Sequence, residues 1–175
     1  MNARPMPAAI RLYVRCVDRV NGVLGFFVMY LALAMMGLLL FASVTRYVFN
    51  VPFVWIIEMA QFMMAAYYIL GGGYSMQLDA HVRMDMLYER WSPRTRTVMD
   101  TVTIFFLLFY LAYMLRGGIA SSAYSLKYNQ VNYSAWAPPM APIKIIMSVG
   151  IALMLLQAIA ILFRDIAKLT GRELK

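Results

Sequence analysis

Over long stretches this chain lacks charge. Residues 20–45, 59–78, 101–115 and 145–163 contain no Asp, Glu, Lys, Arg or His. A hydrocarbon core about 30 Å thick takes roughly 20 apolar helical residues to cross. The run at 101–115 is the shortest, and weakly polar flanks extend it. Four membrane-spanning helices therefore account for nearly all of the 175 residues. No stretch remains for a soluble catalytic domain, so function falls to helix surfaces, short loops and partners.

Other absences narrow the choice. A single cysteine, Cys16, excludes an intrachain disulfide, and with one histidine there is no Cys/His cluster of zinc type. A haem held within a bundle needs axial histidines inside the spans, and His81 lies outside them. Neither a metal nor a cofactor is expected. Carboxylates are missing from mid-membrane positions. Asp18, Glu58, Asp79, Asp85, Glu89, Asp100, Asp165 and Glu173 all lie at or beyond span ends. Ion-coupled carriers place a carboxylate or unwound backbone near the bilayer midplane, so this chain alone makes a poor transport path. Its deep polar side chains are Gln61, Ser148 and Gln157, read as helix–helix hydrogen bonders. Gly71-Gly72-Gly73 has no following Lys-Ser/Thr and is no phosphate loop. It reads as a small-residue packing face, as do Gly117/Ser121 and Gly118/Ser122.

What is present is apolar surface bounded by basic residues. The chain is 63% hydrophobic with net charge +8, against about 45–50% apolar in soluble proteins. Its Lys and Arg cluster at the ends of apolar runs, which points to membrane lipids rather than nucleic acid. The first run is about twice the 7–15 residues of a signal-peptide core and lacks a small-x-small exit, so it reads as a retained helix.

Residues 1–19 read as an amphipathic segment, with Ile10, Tyr13, Val14 and Val17 on one face. Such a segment lies in the headgroup layer, and Gly22 and Gly25 permit a bend into the first span, 20–49. Asn50-Val51-Pro52 reads as a break, because proline disfavours helix at the preceding residue. The second span covers 53–78 and an interfacial segment 79–92. Ser92-Pro93 marks a helix start, opening a third span over 93–120, with Ser121–Tyr128 able to prolong it. Pro138, Pro139 and Pro142 interrupt the connection 121–142. The fourth span is 143–163, followed by a tail, 164–175. The fold class is thus all-α integral membrane, with four transmembrane helices, short interfacial amphipathic helices and one domain. The amino end, the 79–96 loop and the tail carry four Lys or Arg each. Arg46, Arg116, Lys127 and Lys144 make up the opposite side. Both termini are therefore expected in the cytoplasm.

Two polar constellations stand out. Arg46 and Glu58 flank the turn around Asn50, and a charge near lipid is costly alone. They are expected to pair with each other or with a partner. His81, Arg83 and Asp85 alternate too closely for one helix face. They suit a turn in which Arg83 meets the negative end of the second helix.

Arg46-Tyr47-Val48-Phe49-Asn50-Val51-Pro52, then Trp55 and Glu58, then Gly72 and His81-Val82-Arg83-Met84-Asp85, resembles a known pattern. It is similar to the small membrane subunit of tripartite ATP-independent periplasmic (TRAP) transporters. That subunit has R-Y-x-F-N-x-P-x-x-W-x-E-E, a glycine-bearing helix and H-x-R-x-D. Pro139-Met140-Ala141-Pro142 resembles that family's proline-bearing approach to helix 4. The resemblance runs over about 46–157, with Met59 in place of the usual second acidic residue. It marks Arg46, Asn50, Pro52, Trp55, Glu58, Gly72, His81, Arg83, Asp85 and Pro139 as structural or interface candidates. It implies a subunit of the bacterial inner membrane, bound to a large multi-helix transport subunit that holds the substrate and sodium sites. A periplasmic substrate-binding protein delivers organic acids or similar small solutes. The chain itself is then a non-catalytic scaffold. The residues alone leave open a membrane anchor of a redox enzyme and a self-assembling small channel or exporter.

Overall fold

Apolar side chains at helical spacing, with polar punctuation between them, give four long helices and no strand among the described residues. The structure is a computed structural model that describes residues 7–78 and 93–170. Helix α1 spans Ala8–Tyr47, α2 Val54–Gln77, α3 Pro93–Lys127 and α4 Ala141–Thr170. Each is long and apolar enough to cross a membrane.

The chain stays helical through Gly22 and Gly25. One helix of 40 residues passes through both. At 1.5 Å per residue it is about 60 Å long, roughly twice the hydrocarbon thickness. A helical glycine costs only about 1 kcal/mol relative to alanine, so the helix continues through it. The amphipathic stretch is therefore the first part of α1. Its apolar face does not lie free, because Val14 and Val17 are buried against Ala160, with Ile10, Tyr13 and Phe163 around them. Helix α3 runs to Lys127, past the expected end at 120, and α4 runs past 163. The segment 79–92 lies outside the described residues.

The α1–α2 turn explains its own sequence. Asn50 adopts φ 55°, in the left-handed region, which asparagine tolerates better than most residues. The Val51 N–H donates to the Thr45 carbonyl at 3.0 Å. Pro52 follows where no N–H is required. The α3–α4 connection is also ordered by its own bonds. Asn132 N–H donates to the Pro138 carbonyl and Met140 N–H to the Gln130 carbonyl, both at 2.9 Å. Gln130 Oε1 accepts from Ser125 Oγ at 2.8 Å and from Lys144 Nζ at 2.7 Å. That fixes the end of α3 to the start of α4.

The helices form a row rather than a closed bundle. Helix α1 packs on α2, α2 on α4, and α4 on α3, with a smaller contact between α1 and α4. Small residues set the close approaches. A Cβ at Gly150 would collide with Ile69 Cγ2 and come within 3.2 Å of the Ile69 backbone. In lipid there is little hydrophobic drive between helices, so such backbone proximity is what dispersion packing needs. The Gly71–Gly73 run serves both neighbours because successive residues turn about 100° around a helix. Gly72 faces Met154 of α4, whereas Gly73 faces Asn21 of α1. The main core lies where Met76, Leu111, Ile151 and Ala158 meet. Helix α4 is the inner member, with 28% of its apolar window buried, against 6% for α3.

Candidate interface sites and buried polar groups

Toward the amino end of α1, a polar network joins α1 to α4. Asn21 Nδ2 donates to Gln157 Oε1 at 2.7 Å. Gln157 Nε2 in turn donates to Asp18 Oδ1 at 3.1 Å. Arg164 donates to the other Asp18 oxygen and forms an ion pair with it. Tyr13 adds a bond from its hydroxyl to the Leu156 carbonyl at 3.0 Å. Asn21 and Gln157 are completely buried, so each bond replaces one that water would have made, while Asn21 Oδ1 meets no donor among the described residues. Gly73 makes room for this network, since a Cβ there would stand 2.8 Å from Asn21 Oδ1.

A second polar contact joins α3 to α4. Ser122 and Ser148 hydroxyls lie 3.0 Å apart, and Ser148 also donates to the Lys144 carbonyl at 2.9 Å. The Gly118/Ser122 face is thus in use, with Gly118 packed on Ser148, whereas Gly117 meets nothing within 4 Å.

The opposite end of the helices is different. Glu58 is buried, 7% exposed, on the second turn of α2. Its Oε2 meets no hydrogen-bond donor among the described residues. Arg46 is exposed at the end of α1 and does not form an ion pair with Glu58. The first of the two expected pairings is therefore not what the chain adopts by itself. Thr45 is buried nearby in the sequence, but its hydroxyl is spent on the Phe41 and Ala42 carbonyls, both at 3.0 Å.

The other expected site residues fall as follows. Asn50 and Pro52 build the turn, as above. Trp55 is partly exposed and leans on Phe53, which stacks on Phe41 of α1, each pair with centroids 6.3 Å apart. Gly72 lies against Met154. Pro139 pairs with Val131 in a single bridge within the α3–α4 connection. His81, Arg83 and Asp85 lie outside the described residues. Met59 lines an apolar pocket of about 330 Å³ with Phe62, Met63, Trp136 and Pro139. An acid at that position would face hydrocarbon side chains, so methionine suits its surroundings.

The deep polar residues divide. Gln157 and Ser148 make the helix–helix bonds expected of them. Gln61 instead is exposed and makes no hydrogen bond among the described residues. Sequence reading missed Asp18 and Asn21. The available signal was spacing, because residues three apart share a helix face, as Asp18 and Asn21 do.

The family model for the DctQ component of tripartite ATP-independent periplasmic transporters matches residues 35–168. The chain belongs to the DctQ family. The match contains the α1–α2 turn, Glu58, Gln61, Gly72, Pro139 and the α4 half of the polar network. The DctQ match begins after Asp18 and Asn21, which supply the α1 half. No curated protein matches the chain.

Proposed function

We propose that the chain is the scaffold subunit of a sodium-coupled TRAP transporter. It packs against a large transport subunit and holds it in the membrane. That subunit imports organic acids or similar small solutes, handed over by a periplasmic substrate-binding protein. Membership of the DctQ family carries this reading. The row of helices supports it, because a row leaves broad apolar faces open for a neighbour. Phe105, Phe106, Phe109 and Tyr113 of α3 are more than half exposed. The chain's role is contact and position, with substrate and sodium chemistry belonging to the large subunit.

The chain sits in the bacterial inner membrane with both termini and the 79–92 segment in the cytoplasm. The surplus of Lys and Arg on that side supports this orientation. Cysteines placed at Asn2 and Asn129, in a background without Cys16, test it with a membrane-impermeant thiol reagent. Asn129→Cys labels from the periplasm and Asn2→Cys does not. The reverse pattern would overturn the topology. The role itself is tested by reconstituting the large subunit and binding protein in vesicles under a sodium gradient. Uptake requires this chain, and uptake at full rate without it would refute the scaffold role.

A further inference from the structure

The exposed stripe of α2 and the buried position beside it hold two polar groups without a hydrogen bond among the described residues. Val54, Ile57, Gln61, Met64 and Tyr68 are exposed at helical spacing. Glu58 adjoins the stripe, one turn after Val54 and one turn before Gln61 on the helix surface. Glu58 is 7% exposed with an unpartnered Oε2, and Gln61 is exposed without a hydrogen bond among the described residues. Gln61 lies on hydrocarbon-facing surface and Glu58 is covered beside it, and an unmet polar group is unfavourable in either place. A second chain that satisfied both would remove that penalty at once.

Register places Glu58 more closely. Ile69 of α2 meets Gly150 of α4, and Gly72 meets Met154, so the two helices run in the same direction. Carried back along α2, that register sets Glu58 level with Pro139 and Met140, just before α4 begins. The same comparison with α1, from Gly25 against Tyr74 and Gly71 against Val28, sets Glu58 level with Phe41. The carboxylate thus stands within the last two turns of α1, whose Val44 and Thr45 carbonyls accept from the Val48 and Val51 N–H groups.

We propose that Glu58 receives an arginine or lysine side chain of the large transport subunit, whose helix packs along Val54, Ile57, Gln61, Met64 and Tyr68. This rests on the reading of the chain as the small subunit of such a transporter. A guanidinium fits best, because its planar fork of donors matches the two oxygens of a carboxylate. Gln61 then bonds to the same helix one turn deeper. A bare metal ion fits poorly, since among the described residues no three His, Cys, Asp or Glu side chains gather to hold one. Arg46 remains outside the pair and stays exposed.

The test is recovery of the full-length chain on a tagged large subunit after co-expression. Wild-type recovery checks the underlying reading by itself, and its failure would sink both claims. Given wild-type recovery, Glu58→Gln lowers it about tenfold, equivalent to about 1.4 kcal/mol, Gln61→Leu lowers it severalfold, and Arg46→Gln leaves it unchanged. Unchanged recovery for Glu58→Gln would overturn the proposal and would fit a lipid headgroup at the carboxylate. Equal losses for Arg46→Gln and Glu58→Gln would overturn it in favour of a pair within the chain. Reaction of wild-type Glu58 with a lipid-soluble carbodiimide gives a readout that does not depend on a variant folding. Labelling in the chain alone falls at least severalfold in the complex, and equal labelling in both would refute the contact.

Discussion

At one end of the helices Asp18 is held by Arg164 and Gln157, and Asn21 by Gln157. At the other end Glu58 is buried and its Oε2 is held by nothing in the described chain. Both ends carry a carboxylate on or near a buried helix surface, yet the Asp18 carboxylate is paired within the chain and Glu58 Oε2 is not. Buried polar groups are nearly always paired, so the difference separates what the chain does for itself from what it leaves to a neighbour. The Asp18 end fastens α1 to α4 and makes the row a unit. The Glu58 end, beside the exposed stripe of α2, is where an outside chain has most to contribute.

The largest break in that comparison comes from Asp18→Ala, which strands both Arg164 and Gln157. The Arg164 and Asp18 side chains are 30% and 22% exposed, so the loss falls below that of a fully buried pair. It amounts to about 2 kcal/mol in the stability of the chain in detergent. Asp18→Ala with Arg164→Ala costs less than the two single losses added together, and a double-mutant cycle measures the coupling.

Gly73→Ala attacks the same end by bulk. Its Cβ would press on Asn21 Oδ1, which destabilises by about 1–2 kcal/mol. Gly22→Ala is the contrasting change. A Cβ there meets nothing within 4 Å, so the gain in helix propensity stabilises by up to about 1 kcal/mol. Unfolding midpoints of the two variants should therefore move in opposite directions. Ser148→Ala removes the α3–α4 hydroxyl contact and lowers stability by about 0.6 kcal/mol, a typical value for hydrogen bonds between membrane helices.

Much of the fold was legible as sequence because hydrocarbon thickness constrains helix length so strongly. Missing charge located four spans, and Asn50-Val51-Pro52 located the turn between the first two. The amphipathic stretch continues into the first span as one helix, because glycine weakens a helix only slightly and the Val14–Val17 face gains a neighbour in α4. That gain depends on which helices touch, information that periodicity does not contain. The same limit hid the network. Gln157 was visible as a polar residue in an apolar run, but its partners sit on a helix some 136 residues away in sequence. Glu58 was visible as a charge near lipid, and the motif that contains it suggested Arg46 as its mate. Exposure separates the two, since Arg46 reaches solvent or headgroups while Glu58 is covered.

The contrast between the two ends is tested most directly by unfolding the full-length chain alone in detergent, with Gln157→Leu and Glu58→Leu compared against wild type. Gln157→Leu orphans Asn21 and loosens Asp18, and lowers stability by about 1–3 kcal/mol. Glu58→Leu removes a buried charge that has no partner in the chain, so stability stays level or rises. A loss for Glu58→Leu as large as that for Gln157→Leu would mean that the chain already satisfies Glu58, and would contradict the account.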